Sequence, residues 1–142
     1  MIQEKSCVAV IYSMDQGQRL YLIEHMIGGH YAMCKGHVEN DESEEETAIR
    51  EIREETGLRV RLNTSFRETV SYSPADGHMK DVVYFIGTCD TRETVNQIEE
   101  VRDICWLPYE EALQKLTFEN DREVLRKAEK WLKGSQESET PV

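Results

Sequence analysis

Gly36-His-Val-Glu-Asn-Asp-Glu42, seven further residues, and then Arg50-Glu-Ile-Arg-Glu-Glu-Thr-Gly-Leu58 is the stretch on which the reading of this chain turns. Between its halves, Ser43-Glu44-Glu45-Glu46 has the form of a capping box, in which the serine hydroxyl accepts from the Glu46 amide while the Glu46 carboxylate reaches back. A helix is therefore predicted from Glu44 to Thr56, stopped by Gly57 as a left-handed cap. Glu51, Glu54 and Glu55, three and four residues apart, fall on one stripe of that helix, which Thr47 and Glu44 extend. Ala48, Ile49 and Ile52 form a neighbouring apolar stripe expected to face a sheet.

Carboxylates gathered on one stripe repel. Two unit charges ~4 Å apart cost roughly 4 kcal/mol at an effective dielectric near 20, so a partly buried cluster needs a cation. Oxygen-rich sets of this kind suit Mg²⁺, with Mn²⁺ as the alternative, and Mg²⁺ is commonly shared between carboxylates and substrate phosphates. Arg50 is placed to pair with a neighbouring glutamate and hold it. A merely solvated acidic face leaves unexplained the glycine at each end, the arginine before Glu51 and the spacing back to Glu42.

Working outward, Cys7 to Tyr12 reads as a strand and Arg19 to Glu24 as its hairpin return, with Gly17 at the turn. A short strand is expected around Tyr31 to Cys34, followed by a loop from Gly36 to Asp41. Leu58 to Val70 reads as one or two extended segments, Asp81 to Cys89 as the strongest strand, and Ile104 to Leu107 as a short one ended by Pro108. Helices are expected over 108–116, which opens on a proline and acids, and over 120–133, where Val124, Leu125, Ala128, Trp131 and Leu132 make a core stripe. Intermixed strands and helices around an antiparallel hairpin point to the α/β class, with helices packed on a mixed sheet.

The chain has 142 residues, enough for one domain with a real core, expected over 1–134, with a polar, disordered tail over 135–142. Its apolar fraction is 39% and its formal net charge is −11, which disfavours long nucleic acid as a partner and leaves room for a small phosphate ligand reached through metal ions. No apolar run is long enough to cross a membrane, and Met1 to Ser6 lacks signal-peptide character, so the cytoplasm is the expected location. Cys7, Cys34, Cys89 and Cys105 form no Cys-x-x-Cys pair, which disfavours a zinc ribbon. Cys7, Cys89 and Cys105 are expected to be reduced core residues.

The stretch resembles the Nudix box, Gly-x5-Glu-x7-Arg-Glu-U-x-Glu-Glu-x-Gly-U with U aliphatic. Gly36, Glu42, Arg50, Glu51, Ile52, Glu54, Glu55, Gly57 and Leu58 fill every defined position. The resemblance covers about residues 6 to 133. It implies a Nudix fold, an α/β/α sandwich around a mixed β-sheet, and a divalent-metal hydrolase of a phosphoanhydride bond. By the same resemblance, Glu51, Glu54 and Glu55 bind the metals, the Gly36 carbonyl helps, and Glu54 and Arg50 belong to the catalytic set.

Outside the box the chain is most similar to asymmetrical diadenosine tetraphosphatases, through Lys35-Gly36-His37-Val38-Glu39, Tyr72, Lys80 before Val82-Val83-Tyr84, and Glu100 six residues before Trp106-Leu107. This implies phosphate contacts from Lys35, Lys80 and His37, a base flanked by Tyr72 and Tyr84, and Glu100 as a distal carboxylate, either a metal ligand or the general base. Glu99 and a box glutamate compete for the last role. The chain departs from that pattern at Tyr31, where a tryptophan is usual, at Cys34, where a proline is usual, and at Asn40-Asp41, where Pro-Gly is usual. The expected substrate is a nucleoside polyphosphate, with diadenosine tetraphosphate first. A pyrophosphatase of (8-oxo-)nucleoside triphosphates or of RNA 5′ ends stands as the alternative, and a non-catalytic nucleotide-binding module behind it. The protein is expected to act as a monomer or homodimer.

Overall fold

The computed structural model describes residues 2–34, 36–37, 41–73, 75–96 and 99–139, with the side chains of 2, 36, 37 and 135–139 outside the description. Lys35 therefore lies outside the described residues, as does the side chain of His37. The strands are β1 (Ile2–Asp15), β2 (Gln18–Met26), β3 (Tyr31–Ala32), β4 (Gly36–His37), β5 (Arg61–Tyr72), β6 (His78–Thr88) and β7 (Val101–Pro108). The helices are α1 (Glu44–Thr56), α2 (Tyr109–Lys115) and α3 (Glu119–Glu139).

The sheet is mixed and seven-stranded, in the order β3-β2-β1-β6-β5, with β4 added to β1 and β7 to β2. Its axis is the parallel pairing of β1 with β6, continuous from Ile2↔His78 to Tyr12↔Thr88. The other edge of β1 is divided. Its end forms an antiparallel hairpin with β2 through Asp15↔Gln18, turned on Gln16 (φ 50°) and Gly17 (φ 82°), both left-handed as a tight two-residue hairpin turn requires. Lower down, Ser6 and Cys7 pair with His37 and Gly36. The predicted box loop thus begins as a short strand, because β2 has diverged toward β7 and leaves that edge of β1 open.

Alternation of side chains along the strands assigns the two faces. Tyr21 on β2 and Tyr84 on β6 donate hydrogen bonds to Glu129 and Asp121 of α3 at 2.8 and 2.9 Å, so those positions face α3. Lys5 on β1 and Arg67 on β5 pair with Glu44 at 2.5 and 2.8 Å, so their face carries α1. The sheet is the middle layer of an α/β/α sandwich. Its core joins Cys7–Ile11 and Val82–Ile86 to Ala48 and Ile52 of α1 and to Val124, Leu125, Ala128 and Leu132 of α3, all buried. Trp131 completes the α3 stripe edge-on to Phe66, with ring centroids 6.2 Å apart. Ile49, expected to face the sheet, is instead 42% exposed, because the buried side of α1 centres on Ala48 and Ile52.

The last helix runs to Glu139, past Gly134 where a stop was expected, so residues 135–139 are helical backbone rather than the predicted disordered tail. One glycine costs only about 1 kcal/mol relative to alanine, too little to end a helix whose earlier turns are anchored in the core. Residues 140–142 of that tail lie outside the described residues. No helix among the described residues is long and apolar enough to cross a membrane.

Candidate active site

The box helix starts and stops where its sequence says. Ser43 accepts from the Glu46 amide, and Glu46 accepts from the Ser43 amide, each at 3.1 Å, so the capping box is complete. Gly57 closes the helix in the left-handed region, its amide donating to the Arg53 carbonyl at 2.9 Å. Thr56 then ties down the exit: its hydroxyl donates to the Ile52 carbonyl at 2.6 Å and accepts from the Leu58 amide at 3.1 Å.

Arg50 organises the exposed side of the cluster. It grips Glu42 with Nε and Nη2, at 2.6 and 3.0 Å, and donates through Nη1 to Glu51 at 2.9 Å and Glu54 at 3.1 Å. Thr47 adds a hydrogen bond to Glu42 at 3.1 Å. The fixed distance from Glu42 to Arg50 in the sequence thus becomes a fork across one helical face. The contacts described for Arg50 hold these carboxylates in place. Glu44 leaves the expected stripe. Held by Arg67 and by Lys5, it lies well below the ordinary carboxylate range, at about 2.

The remaining box carboxylate turns inward. Glu55 is 7% exposed and accepts a hydrogen bond from the Cys34 thiol. Beside them lies Glu24 of β2, 2% exposed, with Oε2 lacking a hydrogen-bond partner among the described residues. One ligand atom each from Glu24, Cys34 and Glu55 lies within 4.8 Å of the others. Burial pushes Glu24 up to about 8, and the charge of Glu55 adds to the rise. Burial likewise lifts Glu55 to about 7. The Cys34 hydrogen bond pulls the other way, while the charges of Glu51, Glu100 and Glu54 reinforce the lift. Cys34 is held far above the usual thiol range, first by burial and then by the charges of Glu24 and Glu55.

Glu51, Glu54 and Glu55 therefore share a helix but differ in environment: Glu54 is exposed and Glu51 half-buried, both held by Arg50, and Glu55 is directed into a buried pocket. Both environments suit a divalent cation. The outward carboxylates offer oxygen donors at the surface, and the buried set contains an orphaned carboxylate oxygen that a cation would satisfy. The Gly36 backbone is held beside the box helix by its pairing with Cys7.

Glu100 sits in the turn before β7, its carbonyl accepting from the Ile27 amide at 2.8 Å. Its charge adds to the rise of Glu55. With Met26, Ile27, Gly28, His30 and Glu99 it lines a cleft of about 510 Å³.

Of the expected substrate contacts, Tyr72, Lys80 and Tyr84 do not converge on this cluster. Tyr84 is 1% exposed and bonded to Asp121, so it is a core residue pinning α3 to the sheet and has no ring face free for a base. Tyr72 and Lys80 are partners across the β5–β6 pairing, and alternation places them on the α3 face with Tyr84. Glu24 and Cys34, by contrast, were not singled out as site residues. A lone acid closing the strand Leu20-Tyr-Leu-Ile-Glu24 was the available signal for the first, and the departure from proline was the signal for the second.

Known proteins resemble the chain over most of its length. The mouse asymmetrical bis(5′-nucleosyl)-tetraphosphatase is 31% identical over 129 residues, covering 87% of this chain and 87% of that one. The NAD-capped RNA hydrolase NudC of Mannheimia succiniciproducens is 30% identical over 112 residues, 74% of this chain, which spans only 40% of that protein's length. Among solved structures, a binary complex of the Caenorhabditis elegans Ap4A hydrolase superposes with a TM-score of 0.82 at 27% identity, covering 92% of this chain and 98% of that one. Residues 4–128 match the NUDIX domain, and with its box complete the protein belongs to the Nudix hydrolases.

Proposed function

We propose that the protein hydrolyses a dinucleoside polyphosphate, diadenosine tetraphosphate foremost, to ATP and AMP with Mg²⁺, or Mn²⁺ in its place. The observation that carries this reading is the likeness to the mouse tetraphosphatase over 87% of both chains. The likeness in fold to the Ap4A hydrolase supports it. A divalent cation at the box carboxylates would neutralise phosphate oxygens and acidify a water. Glu51 and Glu54, kept in register by Arg50, would present their oxygens to the cation and phosphates together. Glu100 would take the proton of the attacking water, whose oxygen forms the new P–O bond as the anhydride P–O bond breaks and the nucleotide leaves. Lys35 and His37 flank Gly36 in the chain, and that position supports contacts from both to the phosphates. Tyr72 and Lys80 face each other away from the carboxylates, an arrangement that suits the second nucleoside of a long substrate.

The test is a Mg²⁺ assay scored by product identity, with Glu54→Gln and Glu55→Gln alongside the wild type. ATP plus AMP from the dinucleotide, lost in both variants, is the expected result. Near-wild-type turnover in both variants sinks the metal role. Pyrophosphate plus a monophosphate from a nucleoside triphosphate, with the dinucleotide untouched, replaces the substrate.

A further inference from the structure

We propose that Asn96 is a positioning residue for the distal carboxylate Glu100, and that it acts by holding a β-bulge at Arg102 against the end of the box helix. The inference rests on the reading above, in which Glu100 takes the proton of the attacking water.

The start of β7 is irregular. His25 pairs with Asp103 and Met26 with Val101, so Arg102 is an extra residue with no partner on β2. An extra residue of this kind bends its strand and re-aims the side chains beside it. Because side chains alternate, it also reverses the face taken by those that precede it. Without the bulge, Arg102 would stand opposite Met26. With it, Val101 takes that place and is 4% exposed, and Glu100 follows at the cleft beside Met26 and Ile27. The placement of Glu100 therefore depends on one local break in the ladder.

Asn96 is the side chain that meets this break. Its Nδ2 donates to the Val101 carbonyl and, at 3.4 Å, to the Arg102 carbonyl. Consecutive carbonyls of an undisturbed strand point to opposite edges, so one amide reaches both only where the ladder is broken. The neighbouring Val95 amide donates to the Thr56 carbonyl at 2.9 Å. Thr56 follows Glu55 and is itself fixed by its hydroxyl to Ile52 and Leu58. On the far side, the Glu100 carbonyl accepts from the Ile27 amide at 2.8 Å. Glu100 is thus held between β2 and the last turn of the helix that carries the box carboxylates, and Asn96 makes the link to the helix. A tie that only stabilised the turn would lower the melting temperature and leave the rate per folded molecule as it was.

The test is a double-mutant cycle in the full-length chain, with kcat and KM for diadenosine tetraphosphate at saturating Mg²⁺. Asn96→Ala should lower kcat about 10–100-fold with KM little changed, the cost of misplacing a reacting group by roughly an ångström. In a Glu100→Gln background the same substitution should add little, because the group it places is already gone. An unchanged kcat in Asn96→Ala, or an equal loss in both backgrounds, overturns the inference. Should Asn96→Ala fail to fold, Asn96→Asp takes its place, with the same shape and no amide donor. Hydrogen exchange reads the tie without catalysis: the Ile27 amide should exchange faster in Asn96→Ala while the β1–β6 ladder keeps its protection, and unchanged exchange at Ile27 overturns the tie. Loss of turnover in Glu100→Gln but not in Asn96→Ala discards the positioning role and keeps the hydrolase reading. A wild type that leaves the dinucleotide intact fails that reading, and exchange at Ile27 then decides the tie by itself.

Discussion

Among the described residues, replacing Arg50 with glutamine removes at least four hydrogen bonds, two to Glu42 and one each to Glu51 and Glu54, at 2.6–3.1 Å. Two consequences oppose each other. Loss of a positive charge near the cation favours cation binding, by roughly 1.2 kcal/mol for a unit charge ~7 Å from a divalent ion in water-like surroundings. Loss of position acts the other way: removing a group that orients metal ligands typically costs about 10–100-fold in affinity or activity, or ~1.4–2.7 kcal/mol. Position wins. Turnover at saturating Mg²⁺ should fall about 10–100-fold in Arg50→Gln, while the apparent Mg²⁺ affinity, in which the two effects partly cancel, moves less. Arg50→Lys separates them, because lysine restores the charge but not the planar fork that reaches several carboxylates at once. Most of the loss should persist in that variant. Measuring kcat as a function of Mg²⁺ for the three proteins, with circular dichroism to confirm folding, gives the answer. Full recovery of kcat in Arg50→Lys, or no loss in Arg50→Gln, would refute the claim that geometry rather than charge is what Arg50 supplies.

Tyr84→Phe should destabilise the fold by about 1.5–3 kcal/mol, because a buried carboxylate loses a donor, and should lower the melting temperature by roughly 5–10 °C; an unchanged melting curve contradicts the pinning role. Tyr72→Ala should raise KM for the dinucleotide more than for a mononucleotide triphosphate, and an equal effect on both would remove it from the second nucleoside site. Glu44, depressed to about 2 in the fold, contributes stability above the ordinary carboxylate range that is lost as pH falls toward that value. The melting-temperature gap between wild type and Glu44→Gln should therefore be widest near neutral pH and close on acidification, and a gap that grows in acid would reverse the assignment. Ser43→Ala should cost about 1 kcal/mol in chemical denaturation through loss of the helix cap, whereas no change would mean that the helix start is held by tertiary contacts alone.

Local chemistry made α1 legible, since both of its ends are written in Ser43, Glu46 and Gly57, and the spacing from Glu42 to Arg50 anticipated the fork. The α3 stripe from Val124 to Leu132 was equally plain, because helical periodicity survives whatever it packs against. Helical spacing alone could not show that Glu55 turns inward while Glu54 stays out, because residues a single position apart diverge once a sheet covers one side. Tyr84 misled for a similar reason: an aromatic in a strand is compatible with either face, and only the approach of Asp121 from α3 decides the matter. Glu24 and Cys34 come together solely through tertiary structure, and neither is conspicuous by sequence neighbours alone.

The parallel ladder between β1 and β6 also has consequences for how the chain is made. The ribosome releases β1 long before β6 exists, so the apolar run Cys7–Ile11 must wait for the pairing from Ile2↔His78 to Tyr12↔Thr88. Until then its company is the β2 hairpin, the two residues of β4 and the α1 helix, with the β6 edge unpaired. Such non-local closure slows folding and leaves a sticky edge exposed in the interval. Fragments ending before His78 should accordingly be insoluble, and a fusion partner at the N-terminus would be attached to the end of a strand in the middle of the sheet.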